Sequence, residues 1–244
     1  MKAAPFTTML RAQTGMELRL TLRRGESLLL TLAIPLGLLA FFGTVDVVDT
    51  TLTALVPGIV ALAVMSTAMT GLAIATGFER QYGVLKRLGA SPLPRSGLLL
   101  AKTLSVLAVE ALQVSLICAL GLVLGWRPGG GMRAAVLAVG LVTLATGAFA
   151  GIGLLMAGRL RAEATLAAAN GLYLALLLVS GMVVPLVKLP DGLATFARGL
   201  PSGALAEGLR SAFTGHGDVV RPILVLTCWA AVALATAATT FRWE

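Results

Sequence analysis

Six stretches of this sequence, 27–45, 52–77, 97–125, 134–157, 165–187 and 222–240, are mostly apolar, and each is long enough to cross a bilayer as a helix. A helix rises 1.5 Å per residue, so about 20 residues cover the roughly 30 Å hydrocarbon core while satisfying every backbone N–H and C=O inside the segment. A chain so patterned has little else to become than a bundle of membrane-spanning helices. The composition agrees: 57% of residues are hydrophobic and 12% charged, with a mean hydropathy of +0.93, too few charges to coat a water-soluble body of 244 residues. The sequence therefore predicts an all-α integral membrane protein of six spans forming one transmembrane domain over 1–244. No Gly/Ser-rich linker or internal repeat divides it. The break Asp46-Val-Val-Asp49 is short enough for a tight turn between antiparallel spans.

In a soluble protein the formal charge of +8 would suggest nucleic-acid binding, but aromatic residues make up 5% and no polar segment is long enough to carry a binding face. Membrane insertion explains the charge instead. With six spans both ends lie on one side, and only Arg127, Arg133, Lys188, Arg198, Arg210 and Arg221, among the 19 Lys and Arg, fall on the other. That bias places both termini in the cytoplasm. Residues 1–26 carry Arg11, Glu17, Arg19, Arg23, Arg24 and Glu26 ahead of the first apolar run, unlike a leader whose basic segment runs straight into a short apolar core, so no cleaved signal peptide is expected. Phe6, Met9, Met16 and Leu20 share one helical side of this stretch, with Leu18 and Leu22 opposite. It is expected to form an interfacial helix along the inner leaflet.

Few residues offer chemistry of their own. Cys118 and Cys228 lie in apolar runs without metal-ligand or disulfide spacing, and no metal site is expected. No Gly-x-x-x-x-Gly-Lys-Ser/Thr loop occurs, so the chain is not an ATPase by itself. Ser211, His216 and Asp218 lack a nucleophile elbow, and Gly215-His-Gly-Asp218 reads as a turn; no catalytic residue is assigned. Glu110 is the one formal charge between Lys102 and Arg127, in the middle of the third span, where an acidic side chain costs about 3 kcal/mol to insert. It must face the bundle interior, water or a partner, and three roles stay open: an interior hydrogen-bonding group, a lining group for a cationic or polar substrate, or a proton-coupling group. The last would make the chain an ion-coupled secondary transporter. Asn170 and Tyr173 in the fifth span are expected to bond between helices or, as the weaker reading, to line the substrate path.

Two segments outside the apolar blocks are long enough to act: 78–96, and the outer loop 188–221. The latter suggests two short helices interrupted at Pro201. In the former, Phe78, Tyr82 and Leu85 fall at i, i+4 and i+7, predicting one short amphipathic helix, and Pro92 and Pro94 give it a rigid exit. The run Glu79-Arg80-Gln-Tyr82-Gly83-Val-Leu85-Lys86-Arg87-Leu88-Gly-Ala-Ser-Pro92-Leu-Pro94-Arg95 resembles the signature loop of type-2 ABC-transporter permeases, an exporter family that includes daunorubicin-resistance-type and polysaccharide-export subunits. The six-span layout and the helical stretch before the last span, Pro201 to Arg210, are similar too, so the resemblance covers nearly the whole chain. It implies that the loop is a coupling helix docking on an ABC ATPase through Glu79, Arg80, Tyr82, Gly83, Leu85, Lys86, Arg87, Leu88, Pro92, Pro94 and Arg95. It also implies two ATPase subunits carrying ATP and Mg, a second permease as homodimer or heterodimer partner, and a bacterial inner-membrane location. No cofactor is expected in this chain, and a hydrophobic drug, a lipid-linked glycan or a peptide would all suit such a path.

Overall fold

Helices follow the apolar blocks closely, because each block satisfies its backbone internally. The computed structural model describes residues 4–23, 25–45, 51–89, 92–182 and 190–241. Among the described residues there are ten helices: α1 Phe6–Arg23, α2 Gly25–Thr44, α3 Leu52–Gln81, α4 Val84–Gly89, α5 Arg95–Val123, α6 Gly131–Arg159, α7 Ala162–Val179, α8 Asp191–Gly199, α9 Pro201–Thr214 and α10 Val220–Thr240. No strand occurs among them, and helix accounts for 87% of the structure. The all-α expectation holds. Helices α3, α5, α6, α7 and α10 are long and apolar enough to cross a membrane, whereas the apolar part of α2, Leu29–Thr44, is shorter. The fifth block ends earlier than expected, at Val179, where Ser180 and a left-handed Gly181 (φ 69°) close the helix. The expected extension to Val187 and the Asp46–Asp49 turn lie outside the described residues.

Helix α3 is the centre of the bundle. Within its apolar stretch 72% is buried against the rest of the chain, compared with 17% for α10. Leu55 to Met65 are buried without interruption, as expected of a helix apolar on every side. Midway, α3 widens into one π turn at Ser66–Gly71. Helix α6 meets that turn through Gly153, where a Cβ would stand 2.7 Å from the Met69 carbonyl oxygen, so only glycine fits. The most extensive helix pair is α6 with α10. It closes through Gly151, whose missing Cβ would be 2.7 Å from the Ala233 carbonyl carbon, so the Gly147–Gly151 spacing serves packing within one chain.

At the other end, α9 starts at Pro201, which supplies a fixed φ and needs no N–H partner in the first turn. Its Pro201–Ala206 run is buried against α3, α6 and α10, which sets α9 into the bundle end. Trp126 packs edge-on against Phe213 at 5.1 Å, and Gly129 N–H donates to the Phe213 carbonyl at 2.6 Å, tying the α5–α6 connection to α9. Arg210 sends its Nη2 to the carbonyls of Gly181 (2.5 Å) and Met182 (3.1 Å) and its Nε to that of Ala54 (3.4 Å). Burial pushes its guanidinium down to about 10 against the opposing influence of Glu207, still far above neutral pH.

Candidate functional site

The 78–96 loop is built in two pieces rather than as the single predicted helix. Helix α3 continues to Gln81; the Tyr82 N–H then bonds to the Phe78 carbonyl (2.9 Å) and the Gly83 N–H to that of Arg80 (3.0 Å). Gly83 takes φ 70°, the left-handed helix cap that a residue with a Cβ adopts only at a cost. Helix α4 follows separately. Phe78 therefore belongs to α3, and the apolar stripe that suggested one continuous helix is cut between Tyr82 and Val84. Beyond the undescribed residues 90–91, Pro92 and Pro94 are exposed, and Pro94 in extended conformation (φ −68°, ψ 159°) caps α5.

Several of the residues expected to face a partner are turned inward. Leu85 is fully buried in this chain's own core, with Leu88 packed against that core. The expectation that Leu85 is a docking contact is corrected: an apolar side chain four residues after Gln81 has bundle, not solvent, beneath it. Glu79 pairs with Lys102 at 2.5 Å. The Arg80 Nη2 donates to the Leu160 carbonyl (2.5 Å), Gln81 to Glu163 (3.0 Å), and the Arg95 Nη1 to the Phe241 carbonyl (3.3 Å). These four contacts fix the base of the loop to α5, to the α6–α7 connection, to α7 and to the end of α10. What projects is Tyr82, 72% exposed and stacked on Phe78 with ring centroids 6.2 Å apart, together with the exposed Lys86 and Arg87. An aromatic ring and two cations thus stand exposed on a fixed platform.

Behind the platform lies a cluster the sequence reading missed. Lys102 Nζ stands 3.0 Å from Glu17 Oε2 as well as 2.5 Å from Glu79, and the Lys102 side chain is only 1% exposed. Gln13 Nε2 donates to the second oxygen of Glu17 at 2.9 Å. Helix α1 thus presents its polar side, Gln13 and Glu17, to the bundle, while Met16 and Leu22 are exposed. That inversion suits a helix bounded by lipid. The only local signal was the Gln13–Glu17 spacing of four, since Glu17 and Lys102 are far apart in sequence. A cavity of about 740 Å³ opens beside the cluster, walled by Glu17, Glu79 and Lys102 and by Ser66, Thr67 and Thr70 of the π turn.

The ABC-2 type transporter family matches the chain over residues 9–214, from α1 through α9 and including the loop. The chain belongs to the ABC-2 type transporter family. None of the curated proteins compared with it matches. As an ABC-2 type permease it is a multi-pass membrane component of a transporter and works with ABC ATPases rather than hydrolysing ATP itself.

The remaining predicted residues of the permease are scattered. Glu110 is buried and accepts a hydrogen bond from Thr146 of α6 at 2.5 Å, so its partner is a hydroxyl. Asn170 is exposed and donates to the Leu166 carbonyl of its own helix (2.9 Å), which corrects the interhelical expectation. Tyr173 packs partly against the core. His216 Nδ1 lies 2.9 Å from the Thr214 carbonyl and Asp218 accepts the Val220 N–H (2.8 Å); both serve the turn before α10. Among the described residues no group of three His, Cys, Asp or Glu side chains is arranged to hold a metal ion.

Proposed function

We propose that the chain is the permease subunit of an ATP-driven exporter. It pairs with a second permease, identical or homologous, and with two ATPase subunits that bind ATP and Mg, and it lies in a bacterial inner membrane with both termini cytoplasmic. The observation that carries the coupling assignment is the projection of Tyr82, Lys86 and Arg87 from a loop whose base is held at four points. A rigid base lets a push on the exposed tip reach the spans. Lys86→Glu with Arg87→Glu should leave the amount of permease in the membrane near normal while the copurifying ATPase is lost, because like charges would then face an acidic rim. Arg198→Glu, in the outer loop, should keep the ATPase. Retention of the ATPase by the double variant would leave the loop as a topological anchor only.

In this reading α2 is the sixth span, since its 20 residues rise about 30 Å. It brings the two ends of the chain to one face. A cysteine at His216, exposed in the α9–α10 turn, should then react with an impermeant thiol reagent from outside intact cells once Cys118 and Cys228 are serine. His216 is a better site than Gly217, where φ is 106° and a Cβ would stand 2.7 Å from Ser211 Oγ. Reaction only after permeabilisation would invert the topology and remove the loop from the ATPase side.

A further inference from the structure

We infer that Lys102 is a positioning residue that joins α1 and both legs of the coupling loop into one body; this rests on the coupling role proposed above. Glu79 precedes Tyr82 by about one helical turn, and Lys102 follows the start of α5 at Arg95 by about two. The ammonium therefore bridges the descending and ascending legs of the loop at its base. The same ammonium reaches Glu17 at 3.0 Å and so adds α1, a helix distant in sequence. The other polar ties of the loop, Arg80 to the Leu160 carbonyl and Arg95 to the Phe241 carbonyl, lead to α6, α7 and α10; Lys102 adds an ion pair to α1, which also packs along α5 and lays Phe6 beside Gly97.

The cluster is suited to carrying displacement. Side-chain exposure is 1% for Lys102, 9% for Glu17 and 12% for Glu79, so water screens these pairs little and separating them is costly. Charge-assisted hydrogen bonds are also directional, and Gln13 fixes the second oxygen of Glu17, so the carboxylate has little freedom to follow the ammonium by rotating. A push on Tyr82, Lys86 and Arg87 then moves α1, α3 and α5 together. The cavity shares Glu17, Glu79 and Lys102 as part of its wall, so its width follows any motion of α1 against α3.

The test removes the three charges of the cluster together. The triple variant Glu17→Gln, Glu79→Gln, Lys102→Met keeps side-chain size and, being neutral, is expected to insert and fold. Spin labels on cysteines at the exposed Arg11 of α1 and Arg87 of α4, with Cys118 and Cys228 replaced by serine, report the separation of the two elements. The parent chain and Lys102→Arg should give one narrow distance distribution, and the triple variant a broad one. In proteoliposomes the triple variant should still bind the copurifying ATPase but lose the gain in ATP hydrolysis that assembly with the parent permease produces. A narrow distribution in the triple variant overturns the inference, and so does a broad one accompanied by an unchanged gain. If the parent itself binds no ATPase, the coupling role fails instead, and the label distances still decide whether Lys102 joins the elements.

Discussion

Replacing Leu85 with aspartate should remove the folded permease from the membrane, whereas Lys86→Glu with Arg87→Glu, one and two residues on, should leave it there. Leu85 is 0% exposed and sits in the main core cluster. Truncating such a leucine to alanine costs about 2–5 kcal/mol, and aspartate adds an unpaired buried carboxylate whose desolvation costs several kcal/mol more. Against a typical net stability of about 5–15 kcal/mol, that loss is enough to unfold the loop end of the bundle. Lys86 and Arg87 are exposed. Fluorescence-detected gel filtration of the detergent-extracted chain separates the two outcomes. Leu85→Asp should give little monodisperse protein and a strongly lowered melting temperature, and the double variant a near-normal peak. A Leu85→Asp protein that ran normally and lacked only its ATPase would mean that Leu85 faces the partner rather than the core.

The contrast between Leu85 and its neighbours marks what the sequence could and could not reveal. The membrane-crossing blocks were legible because a bilayer leaves a backbone few solutions, so hydropathy and length alone placed α3, α5, α6 and α10 within a few residues. The direction an apolar stripe faces was not. Phe78, Tyr82 and Leu85 share a period, yet Gly83 interrupts it, and Tyr82 ends exposed while Leu85 ends buried. On helix α1, expected along the inner leaflet, what the sequence left unread is the polar face that meets the bundle. Beside lipid the outward face is the apolar one, so Met16 and Leu22 are exposed and Glu17 is buried against the bundle. Lys102 looked like one more cytoplasmic charge that the positive-inside bias would explain. Its partner Glu17 comes from another helix far along the chain, a pairing that no local pattern encodes.

Two arginines of α8 and α9 that look alike in the sequence should behave oppositely. Arg198 meets Glu207 at 3.4 Å with both side chains about a third exposed, an ion pair worth about 0–1 kcal/mol, so Arg198→Ala should shift the melting temperature little. Arg210 is enclosed. It donates to three backbone carbonyls, two just past α7 at Gly181 and Met182 and one in the first turn of α3 at Ala54, and so holds those two helix ends against α9. Gly58 makes room for this join, since a Cβ there would run into the Met182 carbonyl oxygen. Hydrogen bonds from a charged donor contribute about 1.5–3 kcal/mol each, and stranding buried acceptors adds their desolvation cost, so Arg210→Ala should lose about 3 kcal/mol or more. Arg210→Lys should recover only part of this, because a single ammonium lacks the planar fork that serves separated carbonyls at once. Thermal melting of the three purified variants in one detergent orders them: Arg198→Ala near the parent, Arg210→Lys lower, Arg210→Ala lowest. Equal melting of Arg198→Ala and Arg210→Ala would show that the guanidinium does not hold α3, α7 and α9 together, and that this end of the bundle is closed by apolar packing, chiefly Phe213 on Trp126.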